Sequence, residues 1–233
     1  MGVSAVIAAY NEEQTIAEVI RALHRRPLIS EIIVVSDGST DRTSAIAQET
    51  GARTIAIRQN SGKGHAMRLG VQHASHDVLF FVDGDMLNIT QDHISSLVQP
   101  VLDGECEMNV GVRHRGAILD FMHLDLHVGP VLSGIRVMRR HVWDVVPTRY
   151  MARFKIEAAL NYFCARNGFR QRNTVIRGLG HVIKESKRGL ASGLNGRWHM
   201  SREVSLLILD LYFFQSWRWL DPSEQPASDY DLL

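Results

Sequence analysis

The chain has 233 residues, of which 45% are hydrophobic and 22% charged, and its formal net charge is +1. That length suits one well-packed domain with at most a small appendage, and the composition excludes disorder as the default state. A near-neutral balance lacks the basic excess of a phosphate-tracking surface, so no nucleic-acid partner is expected. The two cysteines, Cys106 and Cys164, stand far apart with no C-x-x-C pair. They exclude a disulfide framework or a thiolate zinc site and point to a reducing, cytoplasmic setting. The first residues run straight into a strand pattern without the basic n-region of a signal peptide.

In chain order, Val3 to Ala9 is a short apolar run that reads as a buried strand. Glu12 to His24 places Ile16, Val19, Ile20 and Leu23 on one helical face, the i, i+3, i+4, i+7 spacing of an amphipathic helix. Glu31 to Ser36 is a second strand, and Ser39, Thr40 and Asp41 offer N-caps for a helix through Glu49. Arg53 to Ile57 reads as a third strand, Gly64 to Ala74 as a helix and Val78 to Asp83 as a strongly buried fourth strand. Ile94, Leu97, Val98 and Val101 mark a further helix that Gly104 ends. Continuous apolar strands alternating with amphipathic helices require parallel strands covered on both faces, hence a doubly wound α/β sheet.

In such sheets ligands collect beyond the carboxyl ends of the strands. The polar clusters fall there: Tyr10-Asn11-Glu12, Asp37-Gly38-Ser39 and Asp83-Gly84-Asp85. Two carboxylates one residue apart at the end of a buried strand are costly without a cation between them. A hard divalent ion, Mg2+ or Mn2+, bridging a diphosphate supplies that charge, and Gly84 would let a ligand approach the backbone. Lys63, between two glycines at a helix start, suits a diphosphate through its charge and the helix N-terminus. The spacing of NSGKGHAM is not that of a Walker A loop. His123 and His127 lack the glutamate of a zinc-hydrolase helix.

Four segments, AAYNEEQTIAEVI (8–20), EIIVVSDGSTDRTSAIA (31–47), NSGKGHAMRLGV (60–71) and DVLFFVDGDM (77–86), together resemble the family 2 glycosyltransferases with the GT-A fold. The resemblance implies a metal-dependent glycosyltransferase that takes a sugar from a nucleotide diphosphate sugar, UDP- or GDP-linked. Ala8, Tyr10 and Glu12 would line the nucleoside, Asp37 would meet base or ribose, and Asp83 and Asp85 would hold the metal–diphosphate. Asp85 then acts in the chemical step, and attack from the opposite face of the sugar would invert the anomeric centre, with retention left open because some DxD enzymes on this fold retain. Ala8 and Ser36 stand where members often carry proline and aspartate, which leaves uracil and guanine both open.

The second half narrows the resemblance. GVRHRG (111–116), LSGIRVMRR (132–140), FKIEAALNYFCARNGF (154–169) and SKRG (186–189) are similar to polyprenyl-phosphate glycosyltransferases, the dolichyl-phosphate mannose synthases among them. Arg113, Ser133 and Arg136 then fall on an acceptor phosphate, for which a planar guanidinium is well shaped. Glu157 matches an acidic residue that either serves as general base for a hydroxyl acceptor or orients the acceptor. A phosphate acceptor is already anionic, whereas a hydroxyl needs a positioned base. The arginine-rich acceptor side therefore fits a polyprenyl phosphate better, with Glu157 as an orienting group, and a soluble hydroxyl acceptor of the glycerate or glycan type is the alternative. His181 follows Gly-Leu-Gly and would reach the metal from a glycine-rich flap, in which Lys184 and Lys187 would clamp the diphosphate.

Residues 1–200 are expected to form the GT-A domain and 201–233 a C-terminal helical extension. Its segment 204–220 is too short and interrupted for a membrane span. It either packs on its own domain, lies at the cytoplasmic face of a membrane as a peripheral contact, or joins a homodimer. A sugar-nucleotide pyrophosphorylase is disfavoured because AAYNEE replaces the expected glycine-rich basic loop. A silent sugar-nucleotide-binding protein is disfavoured because both Asp83 and Asp85 are present.

Overall fold

The computed structural model describes residues 2–25, 28–113, 133–151 and 155–181. Strand–helix units open the chain: β1 (Val3–Ala9), α1 (Ile16–His24), β2 (Ile29–Asp37), α2 (Thr43–Glu49), β3 (Arg53–Ile57), α3 (Lys63–His73) and β4 (Val78–Asp83). After these come β5 (Met86–Leu87), α4 (Gln91–Leu102), β6 (Met108–Arg113), β7 (Arg136–Arg139) and α5 (Arg140–Asp144). A 3-10 turn at Thr148–Tyr150, α6 (Lys155–Arg166), β8 (Gln171–Ile176) and β9 (Gly180–His181) complete the described elements.

Seven strands make one sheet in the order β3-β2-β1-β4-β7-β6-β8, and β5 pairs with β9 in a separate ribbon. Both faces are covered, which is why the strands read as unbroken apolar runs rather than as alternation. Val3, Ala5, Ile7, Val34, Phe80 and Val82 pack with α1, α2 and α4 on one face. Val6, Leu79, Phe81, Met108 and Val110 pack with α5 and α6 on the other, where Met67 and Val71 of α3 also lie. Burying each of the Val, Leu, Ile, Phe and Met side chains among these contributes roughly 1.5–3 kcal/mol against the entropy of ordering the chain.

The mostly parallel sheet agrees with the expected fold class, with one reversal. β7 runs antiparallel to both β4 and β6. An apolar pattern carries no information on strand direction, so nothing in residues 136–139 announces the turnaround.

The first helix begins at Ile16, four residues later than its periodicity predicts. Asn11 adopts a positive φ of 54°, and the Thr15 and Ile16 N–H groups both donate to the Glu12 carbonyl at 3.0 Å. Residues 10–15 are therefore a folded loop above the strand end. Among the described residues no helix is long and apolar enough to cross a membrane. His123, His127, Lys184, Lys187 and the segment 201–233 lie outside the described residues.

Candidate functional site

Strand register gathers the polar clusters at one edge of the sheet. Ala8 pairs with Val35 on one side and with Asp83 on the other, and Asp37 closes β2 beside Ile57. The loops after β1 and β2 are stitched together. The Asn11 N–H donates to Ser39 Oγ (3.1 Å), and the Thr40 N–H donates to Asn11 Oδ1 (2.9 Å). The Glu12 N–H donates to Thr43 Oγ1 at 2.8 Å, and the Thr15 hydroxyl donates to the Gly84 carbonyl at 2.7 Å. Three loops thus form one rim, in which Tyr10 is half-buried and Glu12 buried.

Asp37 is buried, and its carboxylate accepts the Ser61 N–H at 2.8 Å and the Gly62 N–H at 2.7 Å. The family resemblance gives Asp37 a base or ribose contact. In the structure both of its oxygens hold the turn that enters α3. Gly62 takes φ 93° there, a conformation that a side chain disfavours. The result is a fixed starting point for Lys63, the first residue of α3.

Lys63 Nζ lies 2.7 Å from Asp83 Oδ1 and 2.6 Å from Glu157 Oε1. Alternation along β4 explains the meeting, because Leu79, Phe81 and Asp83 share the sheet face that α3 and α6 cover. Burial alone would lower the Lys63 pKa, but the charges and hydrogen bonds of Asp83 and Glu157 outweigh it and hold the ammonium above its ordinary value.

Gly84 differs from its sequence reading. It is buried, and a β-carbon on it would stand 3.3 Å from Ala9 Cβ and 3.5 Å from Ile16 Cδ1. The space it leaves is filled by the protein itself rather than kept for a ligand. Asp85, one residue on, is half-buried in the turn to β5.

Two of the expected acceptor residues, Ser133 and Arg136, are engaged within the protein. Arg136 is completely buried. Its Nε and Nη2 donate to the Ser133 carbonyl (3.1 and 2.6 Å), and its Nη1 donates to the Glu157 carbonyl (3.3 Å) and Asn161 Oδ1 (3.4 Å). The cause is register: Arg136 stands opposite Phe81 on the α6 face of the sheet. Ser133 Oγ donates to the Gly111 carbonyl at 2.5 Å. Arg113 ends β6, and His181 pairs through its backbone with Met86, the residue after Asp85. Gly134, Thr15, Thr43 and Asn161 escaped sequence reasoning, since nothing local marks a glycine or a hydroxyl as part of a distant rim.

Among the described residues no three His, Cys, Asp or Glu side chains converge on one point as a ready metal cage. The donor set nevertheless fits a hard divalent ion. Such ions are commonly bound by one or two carboxylates plus substrate phosphates rather than by an all-protein cage. Asp83 already holds one cation, the Lys63 ammonium.

A doubly wound sheet with one antiparallel strand and an acidic turn at the carboxyl end of β4 is the GT-A arrangement. The family model described as glycosyl transferase family 2 matches residues 4–160, and the chain belongs to that family. The chain is 33% identical to a Mycobacterium tuberculosis glucosyl-3-phosphoglycerate synthase over 142 residues, 57% of this chain and 41% of that one. It is 33% identical to a Staphylococcus aureus 4,4'-diaponeurosporenoate glycosyltransferase over 106 residues, 43% of this chain and 28% of that one. The chain thus spans less than half the length of these two relatives. A crystal structure of the M. tuberculosis synthase with Mn2+, uridine-diphosphate-glucose and phosphoglyceric acid superposes with TM-score 0.74 at 26% identity, covering 90% of this chain and 79% of that one. Another, with Mg2+ and uridine-diphosphate, gives TM-score 0.75 with the same identity and coverage.

Proposed function

We propose that this protein transfers a sugar from a UDP-sugar, with Mn2+ or Mg2+, to the hydroxyl group of a small anionic acceptor of the phosphoglycerate type. The observation that carries the reading is the Asp83–Lys63 pair, 2.7 Å apart at the carboxyl end of β4. A carboxylate and an ammonium together beyond the carboxyl end of a central strand support a site for a metal-bridged diphosphate there. The bound UDP and phosphoglyceric acid of the solved relatives support the choice of base and acceptor.

Asp83 and Asp85 would hold the divalent ion, and the family resemblance adds His181 as a further ligand. When bound, the ion supplies Lewis-acid stabilisation of the departing diphosphate. Lys63 adds a second positive charge at the start of α3, where backbone dipoles already favour an anion. Tyr10 and Glu12 line the nucleoside side of the rim. Glu157, anchored to Lys63, orients that ammonium and stands at the boundary with the acceptor. As the acceptor oxygen attacks the anomeric carbon from the face opposite the diphosphate, the bond to the diphosphate breaks, the hydroxyl proton passes to the Glu157 carboxylate, and the product is inverted.

A lipid-phosphate acceptor, the cytoplasmic membrane face and a homodimer through residues 201–233 belong to a rival version of the same chemistry. Burial of Arg136 removes one of the arginines on which that version rests. One experiment separates them: UDP release and product formation from UDP-glucose with Mn2+, against 3-phosphoglycerate and a polyprenyl phosphate. Transfer to phosphoglycerate, abolished in Asp85→Ala, is expected, and proton NMR of the product reads the anomeric outcome. Turnover on the polyprenyl phosphate alone would overturn the acceptor. No donor cleavage under any condition would overturn the activity and favour a silent nucleotide-sugar binder.

A further inference from the structure

Four segments far apart in the chain close a ring around Asp83, and two members of that ring touch neither donor nor acceptor in the proposed chemistry. A β-carbon built on Gly134 collides with the Asp83 carboxylate. Gly134 does not adopt a left-handed φ, so the backbone conformation does not demand glycine there. Space does. The bare Cα of Gly134 is a wall against which the carboxylate rests while Oδ1 faces Lys63.

That wall is held from behind. The neighbouring Ser133 gives its carbonyl to Nε and Nη2 of Arg136 and its hydroxyl to the Gly111 carbonyl. Nη1 of the same guanidinium reaches the Glu157 carbonyl and Asn161 Oδ1 in α6. Glu157 in turn fixes Lys63 at 2.6 Å, and Lys63 returns to Asp83. Only a planar fork with several fixed N–H vectors spans the Ser133 and Glu157 carbonyls at once; a lysine ammonium does not. Burying this cation is costly, and burial pushes the Arg136 pKa down while the Glu157 and Asp83 charges offset part of that.

We propose that Gly134 and Arg136 are positioning residues of the divalent-cation site: Gly134 sets the direction of the Asp83 carboxylate, and Arg136 locks Gly134 in place. This rests on the reading of Asp83 as a holder of the metal–diphosphate. Groups that orient a ligand without touching the metal typically change metal affinity 10–100-fold when altered, a range of about that size being expected here.

The test measures Mn2+ binding in the presence of UDP by electron paramagnetic resonance, together with the melting temperature, for wild type, Gly134→Ala and Arg136→Lys. Both variants are expected to weaken Mn2+ binding by about 10-fold or more. A purely structural role would lower the melting temperature and leave the affinity of the folded fraction unchanged, and that result overturns the proposal. Wild-type protein that binds no Mn2+ with UDP would instead overturn the reading of the metal site. A stability cycle decides the contact independently of metal. In an Asp83→Ala background the collision is gone, so adding Gly134→Ala should cost no further melting temperature even if Gly134→Ala alone does not fold. A double variant less stable than Asp83→Ala overturns the contact.

Discussion

Lys63 and Glu157 are 94 positions apart in the chain, yet Nζ and Oε1 meet at 2.6 Å. The pair joins the first residue of α3 to the first turn of α6 and turns two halves of the molecule into one site. With Asp83 on the other side, the ammonium is the internal counterion of two carboxylates that would otherwise repel.

Replacing Lys63 by methionine therefore leaves two carboxylates facing each other. The expected loss of stability is about 2 kcal/mol, below the figure for a fully enclosed pair because each side chain keeps some solvent contact. Mn2+ should then raise the melting temperature of Lys63→Met more than that of wild type, since the ion takes the place of the missing ammonium. Denaturation with and without Mn2+ checks both; equal shifts would contradict the counterion role.

The same triad sets a response to alkali. The folded-state pKa of Lys63 lies above its unfolded value. Its contribution is fully present below the unfolded value of about 10.4 and is lost only as pH rises through the higher folded value. The stability gap between wild type and Lys63→Met should stay constant from pH 7 to about 10 and shrink only beyond that. A gap that closes between pH 7 and 9 would show that the ammonium is not held as described.

Asp37→Ala removes the acceptor for the Ser61 and Gly62 N–H groups. Two charge-assisted bonds to a turn with a positive φ are at stake, so a loss of about 2–3 kcal/mol is expected. Because that turn places Lys63, UDP affinity in the presence of Mn2+ should fall as well. Isothermal titration of the folded variant checks this. An unchanged UDP affinity would restrict Asp37 to a purely structural task.

At the opposite end of the sheet, Glu31 accepts the Ser4 hydroxyl and the Ser75 N–H. Partial burial works against its ionised form, but these bonds and the nearby His76 outweigh it and hold the carboxyl below its usual range. The linked stability is present above the unfolded value of about 4.3 and disappears as pH falls through the lower folded value. Glu31→Gln should be less stable than wild type at pH 7, and the two should converge as pH falls through the lowered folded value. Acid titration of the melting temperature is the measurement, and parallel curves throughout would remove Glu31 as the linked group.

The strands were the most legible part of the chain. Val3–Ala9 and Val78–Asp83 have the bounds that their apolar runs predict, because central strands are buried on both faces. Arg53–Ile57 matches its expected bounds although it is a partly exposed edge strand. Helix starts were less legible. Glu12 and Thr15 look helical by periodicity, but they are spent on folding the loop back over the Gly84 carbonyl. The acceptor side was read least well. An arginine beside serine and glycine suggests a phosphate site, and only the pairing of Arg136 with Phe81 shows that its side chain enters the interior. Contacts such as Lys63–Glu157 and Gly134–Asp83 join residues that no local pattern connects.

The reversed strand has a consequence for how this architecture diversifies. β6 ends at Arg113, and β7 begins at Arg136 next to Val110, so the chain leaves and re-enters the sheet at the same end of the strands, the end where β4 closes on Asp83. With both anchor points clamped in the sheet, inserting residues between them costs only a slowly growing closure entropy. Such an excursion can be lengthened, shortened or rewritten while β1 to β4 keep their registers. Length changes at this point leave the four N-terminal strands untouched, provided that Gly134, which abuts the Asp83 carboxylate, and Arg136, which holds the Ser133 carbonyl, stay as they are.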